Sequence, residues 1–384
     1  MNKITSVFCL LIFFIFLSAL NSDEASVLGE PPPPFEPDPE NQYPFPTENA
    51  VPQNHPWLDL PLVDYNPPPY ARMLKGLRIC LDPGHGGYQH AKGYKSTKSG
   101  YRESIMNLTV ANHLKDFLNR SGATVVMTRE GDYDIRKSLS DSLAARAQLA
   151  SIHNCDLFIS MHHNAASREN ANYSSVFYHA FPGYIYSNID LGRYIVDELQ
   201  YWLRVPEFAH NGLYSDYLIF PDSGFGVLRN AKVPAILVEA SFFSNRAEEE
   251  RLKKPEYLKR EAWAYYIGIA KYVRAGMPKA ELAFPADGVI KPGQEHKIQV
   301  KLTDDCPEGW GSKGPPRVVR FSVQMTINDV KVPFDYDEET GIVTYRPPQS
   351  LQPGVYNVLV RYVNMHKNSN IPEIFQVTVQ PPSQ

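Results

Sequence analysis

Three short apolar runs in this chain each end in a side chain that can bind a metal ion or carry a proton. The runs are 77–81, 157–161 and 235–238, and each is typical of a buried strand. They lead into the turn Asp82–Gly87 with His85 at its centre, into His162-His163-Asn164, and into Glu239. Open α/β sheets bind ligands outside the carboxyl ends of their strands. We therefore expect these side chains to meet at one edge of a sheet.

Glu103 is a fourth candidate for the same place. It lies 18 residues after His85 (103 − 85), where a helical pattern begins. Apolar residues recur on one face of that pattern, and Gly122 ends it. Taken singly, such a glutamate is most often a carboxylate favoured by the helix dipole, and a histidine after a strand is most often structural. The convergence of all four positions favours a functional site.

The residue types suit zinc hydrolysis. Catalytic zinc takes three protein ligands and keeps one open position. His85, Glu103 and His162 supply two imidazoles and a carboxylate, which leaves Glu239 as general base. Zinc lowers the pKa of its water from 15.7 to about 7, and the hydroxide can attack an amide carbonyl. Glu239 would then pass the proton to the departing nitrogen.

Composition limits the classes of function. The chain has 384 residues, enough for two domains and a linker, and its formal net charge of −4 gives no electrostatic reason to expect nucleic-acid binding. Lys3 and the apolar run 7–17 predict a signal peptide over residues 1–22, so we expect a secreted or periplasmic protein with no membrane span after cleavage. An uncleaved N-terminal anchor is the alternative.

Cysteine usage does not predict a disulfide framework. After signal cleavage three cysteines would remain, Cys80, Cys155 and Cys306. Cys80 and Cys155 lie within or beside strand patterns, where a free thiol behaves as a small apolar group. Whether these two pair stays open.

The pattern predicts four segments. Residues 23–73 are rich in proline and indicate a linker. Its last part could instead dock on the folded domain through the apolar side chains of Trp57, Leu58, Leu60, Leu62 and Tyr65. Residues 74–277 alternate strand and helix patterns, which predicts an α/β fold with a mostly parallel twisted sheet flanked by helices. Residues 280–381 carry short alternating runs separated by turns, which predicts an all-β sandwich.

Five motifs in order resemble a known family over about half of the chain. They are Leu81–Gly87, Arg102-Glu103 with Asn107-Leu108, Val126–Arg129, Asp156–Ala165, and Val227–Asn230 continuing through Pro234–Asn245. This region resembles the zinc-dependent N-acetylmuramoyl-L-alanine amidases of the amidase-3 type. The final segment resembles a bacterial immunoglobulin-like domain, a generic likeness that leaves open a wall-binding, protein-binding or spacing role.

The resemblance implies hydrolysis of the amide between the lactyl group of N-acetylmuramic acid and L-alanine in peptidoglycan, for wall remodelling or daughter-cell separation. It implies Zn²⁺ held by His85, Glu103 and His162, with Glu239 catalytic. His163 stands where the family usually has a small residue, and we favour His162 because one of two successive strand residues faces the metal. Only about ten residues separate Ala165 from Val176, so the inhibitory helix of some members is expected to be absent.

Substrate binding is predicted at Arg229 and Asn164, and the aromatic stretch Tyr214–Phe225 is a further candidate for the groove. Ordinary loop packing is the alternative reading of Arg229 and that stretch. Two other functions remain open. One is a zinc peptidase acting on the stem peptide, and the other is a wall-binding protein without activity.

Overall fold

A computed structural model of the chain describes residues 65–87, 99–133, 135–136, 138–180, 185–205, 212–304 and 317–382. The predicted signal peptide, most of the predicted linker, and Cys306 lie outside the described residues. Within them, no helix combines the length and the apolar character that a membrane crossing requires.

A six-stranded sheet forms the centre of the first part of the chain. Its strands are β1 (Arg78–Pro83), β2 (Thr124–Met127), β3 (Leu157–Asn164), β4 (Ser175–Tyr178), β5 (Leu213–Ser215) and β6 (Ala235–Phe242). The order across the sheet is β2-β1-β3-β6-β4-β5. All pairs are parallel except β4 with β6, which is antiparallel. The predicted α/β fold with a mostly parallel sheet is confirmed.

Six helices accompany this sheet. They are α1 (Glu103–Arg120), α2 (Leu139–Ile152), α3 (Ile185–Leu203), α4 (Gly226–Arg229), α5 (Arg246–Leu252) and α6 (Pro255–Arg274). The helix boundaries follow local chemistry. Ser138 caps α2 by accepting from the backbone N–H of Asp141 at 3.1 Å. Pro255 occupies the first position of α6, where no N–H is needed.

The two faces of the sheet are covered by different helices. Helices α1, α3 and α6 pack together over the side chains of Leu81, Ile159 and Val238. Helices α2 and α4 cover the other face, where Phe158 and Leu237 lie. Because successive strand residues point to opposite faces, this assignment fixes the direction of every site residue further along the same strands.

The last residues of the predicted linker pack on the first part of the chain. A 3-10 helix spans Pro69–Leu74, and Ala71 and Leu74 are buried in the same cluster as α1 and α6. Tyr65 packs its ring against Phe117 at a centroid distance of 5.5 Å. Burial of the apolar side chains that follow Pro69 favours this packing. The segment from Tyr65 to Leu74 is therefore packed on the helices in the structure, and the domain bounds stay a prediction.

The C-terminal part forms two sheets around one cluster of buried side chains. The first has the order β11-β10-β14-β15-β8, and the second has the order β12-β13-β9-β7. The strands are β7 (Lys279–Phe284), β8 (Val289–Ile290), β9 (Ile298–Thr303), β10 (Gln324–Ile327), β11 (Val330–Lys331), β12 (Asp335–Asp337), β13 (Ile342–Tyr345), β14 (Gly354–Arg361) and β15 (Ile374–Val379). The division into domains at 277 and 280 stays a prediction.

Polar contacts tie this part to the helices of the first. The Asn368 amide donates to the carbonyls of Tyr272 and Gly276 at 3.2 and 2.6 Å. The backbone N–H of Ser369 donates to Asp190 on α3 at 2.6 Å. The bond to Tyr272 satisfies a carbonyl in the last turn of α6, where intrahelical partners are lacking. The C-terminal part thus contributes to holding α3 and α6, which cover the sheet.

Candidate metal centre

Three side chains bring ring nitrogens and a carboxylate together at the carboxyl ends of β1 and β3. They are His85, Glu103 and His162, and one ligand atom from each lies within 4.8 Å of the others. His85 Nε2 is 3.1 Å from Glu103 Oε2 and 3.1 Å from His162 Nδ1. His162 Nδ1 is 3.1 Å from Glu103 Oε1. Two imidazoles and a carboxylate form a donor set that fits a catalytic zinc ion.

His85 lies in a turn of unusual backbone conformation. Its φ is +58°, and Gly86 and Gly87 follow with φ of +130° and +63°. The left-handed region is uncommon for a residue with a side chain, so the surrounding structure must hold it. The glycines make the rest of the turn possible at no steric cost.

Two buried arginines hold the backbone of this turn. Arg146 donates to the carbonyls of Pro83 and His85 at 3.1 and 2.5 Å, and Arg129 donates to the carbonyl of Pro83 at 2.8 Å. Arg129 also donates to the carbonyls of Gly84 and Ser104 at 2.9 and 2.7 Å. Ser104 follows Glu103 at the start of α1. One guanidinium therefore fixes the turn that carries His85 relative to the helix that carries Glu103.

Asp82 completes this support beneath the turn. Its Oδ1 accepts from Arg146 and from the Thr128 hydroxyl, each at 2.6 Å, and its Oδ2 accepts from the Ser160 hydroxyl at 2.7 Å. Burial would raise the pKa of Asp82, but the Arg146 guanidinium and the hydroxyl donors hold it below its usual value. A fully paired carboxylate therefore stays charged under the metal site.

The two adjacent histidines point to opposite faces of the sheet. His162 faces His85 and Glu103, whereas His163 lies on the side of α1 and α6. There its Nδ1 is 2.8 Å from Asn107 Oδ1, and its Nε2 is 2.9 Å from Glu261 Oε2. Both ring nitrogens of His163 are thereby engaged away from the centre.

Glu239 stands beside His162, because the parallel pairing of β3 and β6 puts the two residues in register. Both point to the face covered by α2 and α4. The Oε2 atom of Glu239 is buried without a hydrogen-bond partner among the described residues, although the residue as a whole is half-buried. Burial raises the pKa of Glu239 well above its usual value, and the negative charge of Glu103 raises it further.

The pKa values of Glu103 and His162, which lie beside Glu239, are lowered. Burial would raise the pKa of Glu103, but the His85 and His162 rings hold it well below its usual range. Burial lowers the pKa of His162, which keeps that ring neutral and able to offer a lone pair. The His85 and His162 side chains are 17% and 15% exposed, so the cluster is reachable from outside. The two carboxylates thus have opposite proton affinities, as an acid/base group and a ligand require.

In the structure, the predicted substrate residues Asn164 and Arg229 contact neighbouring backbone groups. Asn164 ends β3, two residues after His162, and its Oδ1 accepts from the backbone N–H of Ala165 at 2.8 Å. Arg229 is exposed at the end of α4, with its guanidinium donating to the carbonyl of Ser223 at 2.6 Å. In the aromatic stretch Tyr214–Phe225, Phe220 and Phe225 pack on each other. Substrate contact by these residues stays a prediction.

The segment between β3 and β4 is where some family members carry an inhibitory helix. Residues 165–174, which form this segment here and are all described, form turns and contain no helix.

Cys80 and Cys155 are buried free thiols in hydrogen-bond contact with each other. The structure therefore contains no disulfide between these two residues.

Comparison with known proteins places the chain in a family. The sequence profile described as N-acetylmuramoyl-L-alanine amidase matches residues 79–271, half of the chain. This range contains all four residues of the centre.

The chain belongs to the N-acetylmuramoyl-L-alanine amidase family.

Similar proteins carry the same name. A germination-specific N-acetylmuramoyl-L-alanine amidase of Bacillus subtilis is 32% identical over 213 residues, which are 53% of this chain and 83% of that protein. The amidase LytC of Bacillus subtilis is 28% identical over 201 residues, 52% of this chain and 36% of LytC. The structure of the CwlD amidase from Clostridioides difficile, in complex with the GerS lipoprotein, is 27% identical with a TM-score of 0.44, covering 51% of this chain and 98% of that one.

Several residues around the centre were not predicted from the sequence. Arg129 ends one of the five motifs, but its contacts were not predicted, and Arg146 and Glu261 lie within helical patterns. For Arg146 and Glu261 the available signal was charge at positions that the helical pattern buries. Such positions are rarely occupied by charged residues unless they are paired.

Substituting Gly84→Ala is expected to weaken metal binding. A Cβ at this position would overlap the imidazole of His162, and the backbone of Gly84 needs no left-handed conformation. The imidazole must therefore move. We expect zinc affinity, measured by competition with a chromophoric chelator, to fall about tenfold or more, as for other displaced ligand shells. Gly131→Ala is the control, since its Cβ would meet only the exposed ring of Tyr133. Equal affinities of Gly84→Ala and wild type would contradict the geometry.

Substituting Glu239→Gln is expected to stabilise the metal-free chain at neutral pH. Because the folded-state pKa of Glu239 lies above its unfolded value, wild type loses stability as pH rises above about 4.5. Glutamine carries no charge, so the gain in the free energy of unfolding should be small near pH 4 and grow toward pH 8. Urea denaturation of chelator-treated protein at both pH values measures it. If the gain in the free energy of unfolding did not depend on pH, burial would not be raising the pKa of Glu239, and the prediction would be wrong.

Proposed function

We propose that this chain cleaves the amide between the lactyl group of N-acetylmuramic acid and L-alanine in peptidoglycan, with Zn²⁺ as cofactor. Family membership supports an amidase acting on peptidoglycan. The observation that carries the zinc proposal is the convergence of His85, Glu103 and His162 beside a buried, protonatable Glu239. His85, Glu103 and His162 would hold the ion.

A zinc ion bound here would activate a water molecule and polarise the carbonyl of the scissile amide. Glu239 is placed to move the proton. Its carboxylate takes the proton of the attacking water, and its raised pKa lets it keep that proton until the nitrogen of L-alanine departs. The Oε2 atom of Glu239 is buried, whereas the two histidines beside it are partly exposed. Asp82 and the two arginines take no part in the proton transfer, because they hold the backbone from below.

We propose substrate-binding roles for Asn164 and Arg229. Asn164 follows His162 by two residues and is half-buried, so its amide can meet a peptide group of the substrate. Arg229 carries an exposed guanidinium, and its proposed role rests on the chemistry of that group, which suits a carboxylate of the stem peptide.

The cellular setting follows from the same proposal. Relatives include probable cell wall amidases LytH of Staphylococcus species. We infer that this chain is exported by its N-terminal signal, acts at the cell wall, and serves wall remodelling or daughter-cell separation. Its C-terminal part, with two mostly antiparallel sheets around one apolar core, is proposed to be an immunoglobulin-like sandwich that binds wall polymer or a protein, or spaces the enzyme.

The identity of the cleaved bond is tested by mass analysis of products from purified peptidoglycan. The proposal predicts stem peptides with a free L-alanine amino group and glycan with free lactyl carboxyl groups, and no release after chelation. We expect Glu239→Gln to lower the rate about 10²- to 10⁴-fold, the usual contribution of a general acid–base group. Zinc content should stay at the wild-type level.

Two results would contradict the proposal. Products that keep L-alanine on the glycan would identify a peptidase, and a wild-type rate for Glu239→Gln would remove that residue from the mechanism. Arg251→Lys serves as the control, because Arg251 pairs with Glu248 at 2.5 Å on α5 and touches none of the four residues.

A further inference from the structure

A chain of four buried side chains runs from α6 to the candidate metal centre. Glu261 Oε2 lies 2.9 Å from His163 Nε2, and His163 Nδ1 lies 2.8 Å from Asn107 Oδ1. The amide nitrogen of Asn107 then donates to Glu103 Oε1 at 3.2 Å. All four residues are at most 2% exposed. The series joins one residue each from α6, β3 and α1 to a predicted zinc ligand.

The donors and acceptors along this series have one consistent direction. Glu261 Oε2 and Asn107 Oδ1 are both acceptors, so both ring nitrogens of His163 carry hydrogen. Because His163 donates to Oδ1, the amide of Asn107 is oriented with its nitrogen toward Glu103. The same nitrogen is 3.3 Å from the carbonyl of Gly84. A flipped amide would place its oxygen against a carboxylate and a carbonyl.

The end of the series holds one oxygen of Glu103, Oε1, which also lies 3.1 Å from His162 Nδ1. Oε1 accepts from the amide nitrogen of Asn107 and from the backbone N–H of His163 at 3.1 Å. Oε2 lies 3.1 Å from His85 Nε2. One oxygen is thereby fixed by two protein donors, and the rotation of the carboxylate about its last bond is restricted. Such support of a ligand is what sets metal affinity in other sites.

Stability does not explain why His163 and Glu261 are both buried. A buried ion pair gains little over apolar side chains of similar volume, and replacing both partners is often neutral or stabilising. Loss of one partner alone leaves a buried charge without compensation, which is costly.

We propose that His163 and Glu261 are positioning residues that act through Asn107 to fix the carboxylate of Glu103 for metal binding. This inference rests on the proposed zinc function. It gives a role to His163, whose neighbour His162 faces the centre.

The test compares zinc binding with folding in the full chain. His163→Leu alone leaves Glu261 unpaired and is expected to be destabilised. His163→Leu/Glu261→Leu removes both charges, so its free energy of unfolding should recover toward wild type. Its zinc affinity, measured by chelator competition, should stay about tenfold weaker, the lower end of the usual cost of losing such a partner. The visible spectrum of bound Co²⁺ should also change.

A second buried histidine–carboxylate pair provides the matched control. His179 Nδ1 lies 2.8 Å from Asp216 Oδ2. This pair follows β4 and β5, and because β4 runs antiparallel to β6, it lies at the opposite edge of the sheet from the centre. His179→Leu/Asp216→Leu should leave zinc affinity and the Co²⁺ spectrum unchanged. An equal loss in this control would mean that general loosening explains the effect, and would overturn the inference.

Other outcomes separate the inference from the proposed function. If wild type binds zinc and the His163/Glu261 double variant matches its affinity within twofold, with the same Co²⁺ spectrum, the positioning role is wrong and the zinc function stands. If wild type binds no zinc, both are wrong. Glu261→Gln keeps the shape of the side chain and covers the case in which the double variant does not fold. It should weaken zinc binding, and wild-type affinity would overturn the inference.

Discussion

Parallel pairing of three adjacent strands is the constraint on which the rest of the site depends. β1, β3 and β6 run in the same direction, with Pro83 opposite Met161 and His162 opposite Glu239. A shift of one residue in either pair would turn His162 or Glu239 to the opposite face of the sheet. The apolar residues that precede them fix this register, because Ile159 and Val238 must face the three-helix layer. Burial of ordinary core residues thus sets the geometry of the candidate centre.

Polar contacts at the carboxyl ends of the strands hold the turn at His85 and the side chain of Glu103 in place. The turn at His85 is held in a left-handed conformation by Arg129 and Arg146, both buried and both donating to backbone carbonyls. The planar, five-donor guanidinium suits this task because one side chain can bind several carbonyl groups at fixed angles. Glu103 is held from the other side by Asn107. The metal site therefore depends on contacts that reach it from α1, α2 and α6.

The sequence was sufficient to predict a mostly parallel sheet flanked by helices. It also singled out the four residues of the candidate centre, whose roles stay a prediction. Each of these is local: an apolar run, a helical period, or a side chain at the end of a run. Strand ends were less predictable, because β3 extends to Asn164 and β6 to Phe242 through polar residues that do not look like strand. The partners of Asp82 and His163 lie 46 to 98 residues away, so only the folded arrangement could pair them. The packing of residues 65–73 was left open for the same reason.

We propose that a single zinc ion is bound by His85, Glu103 and His162. Diffraction from crystals of the zinc-loaded chain, recorded above and below the zinc absorption edge, tests this site. We expect one anomalous peak, within bonding distance of His85 Nε2, His162 Nδ1 and the Glu103 carboxylate. A peak located at His163 and Glu261, or no peak at these three residues in zinc-saturated protein, would contradict it.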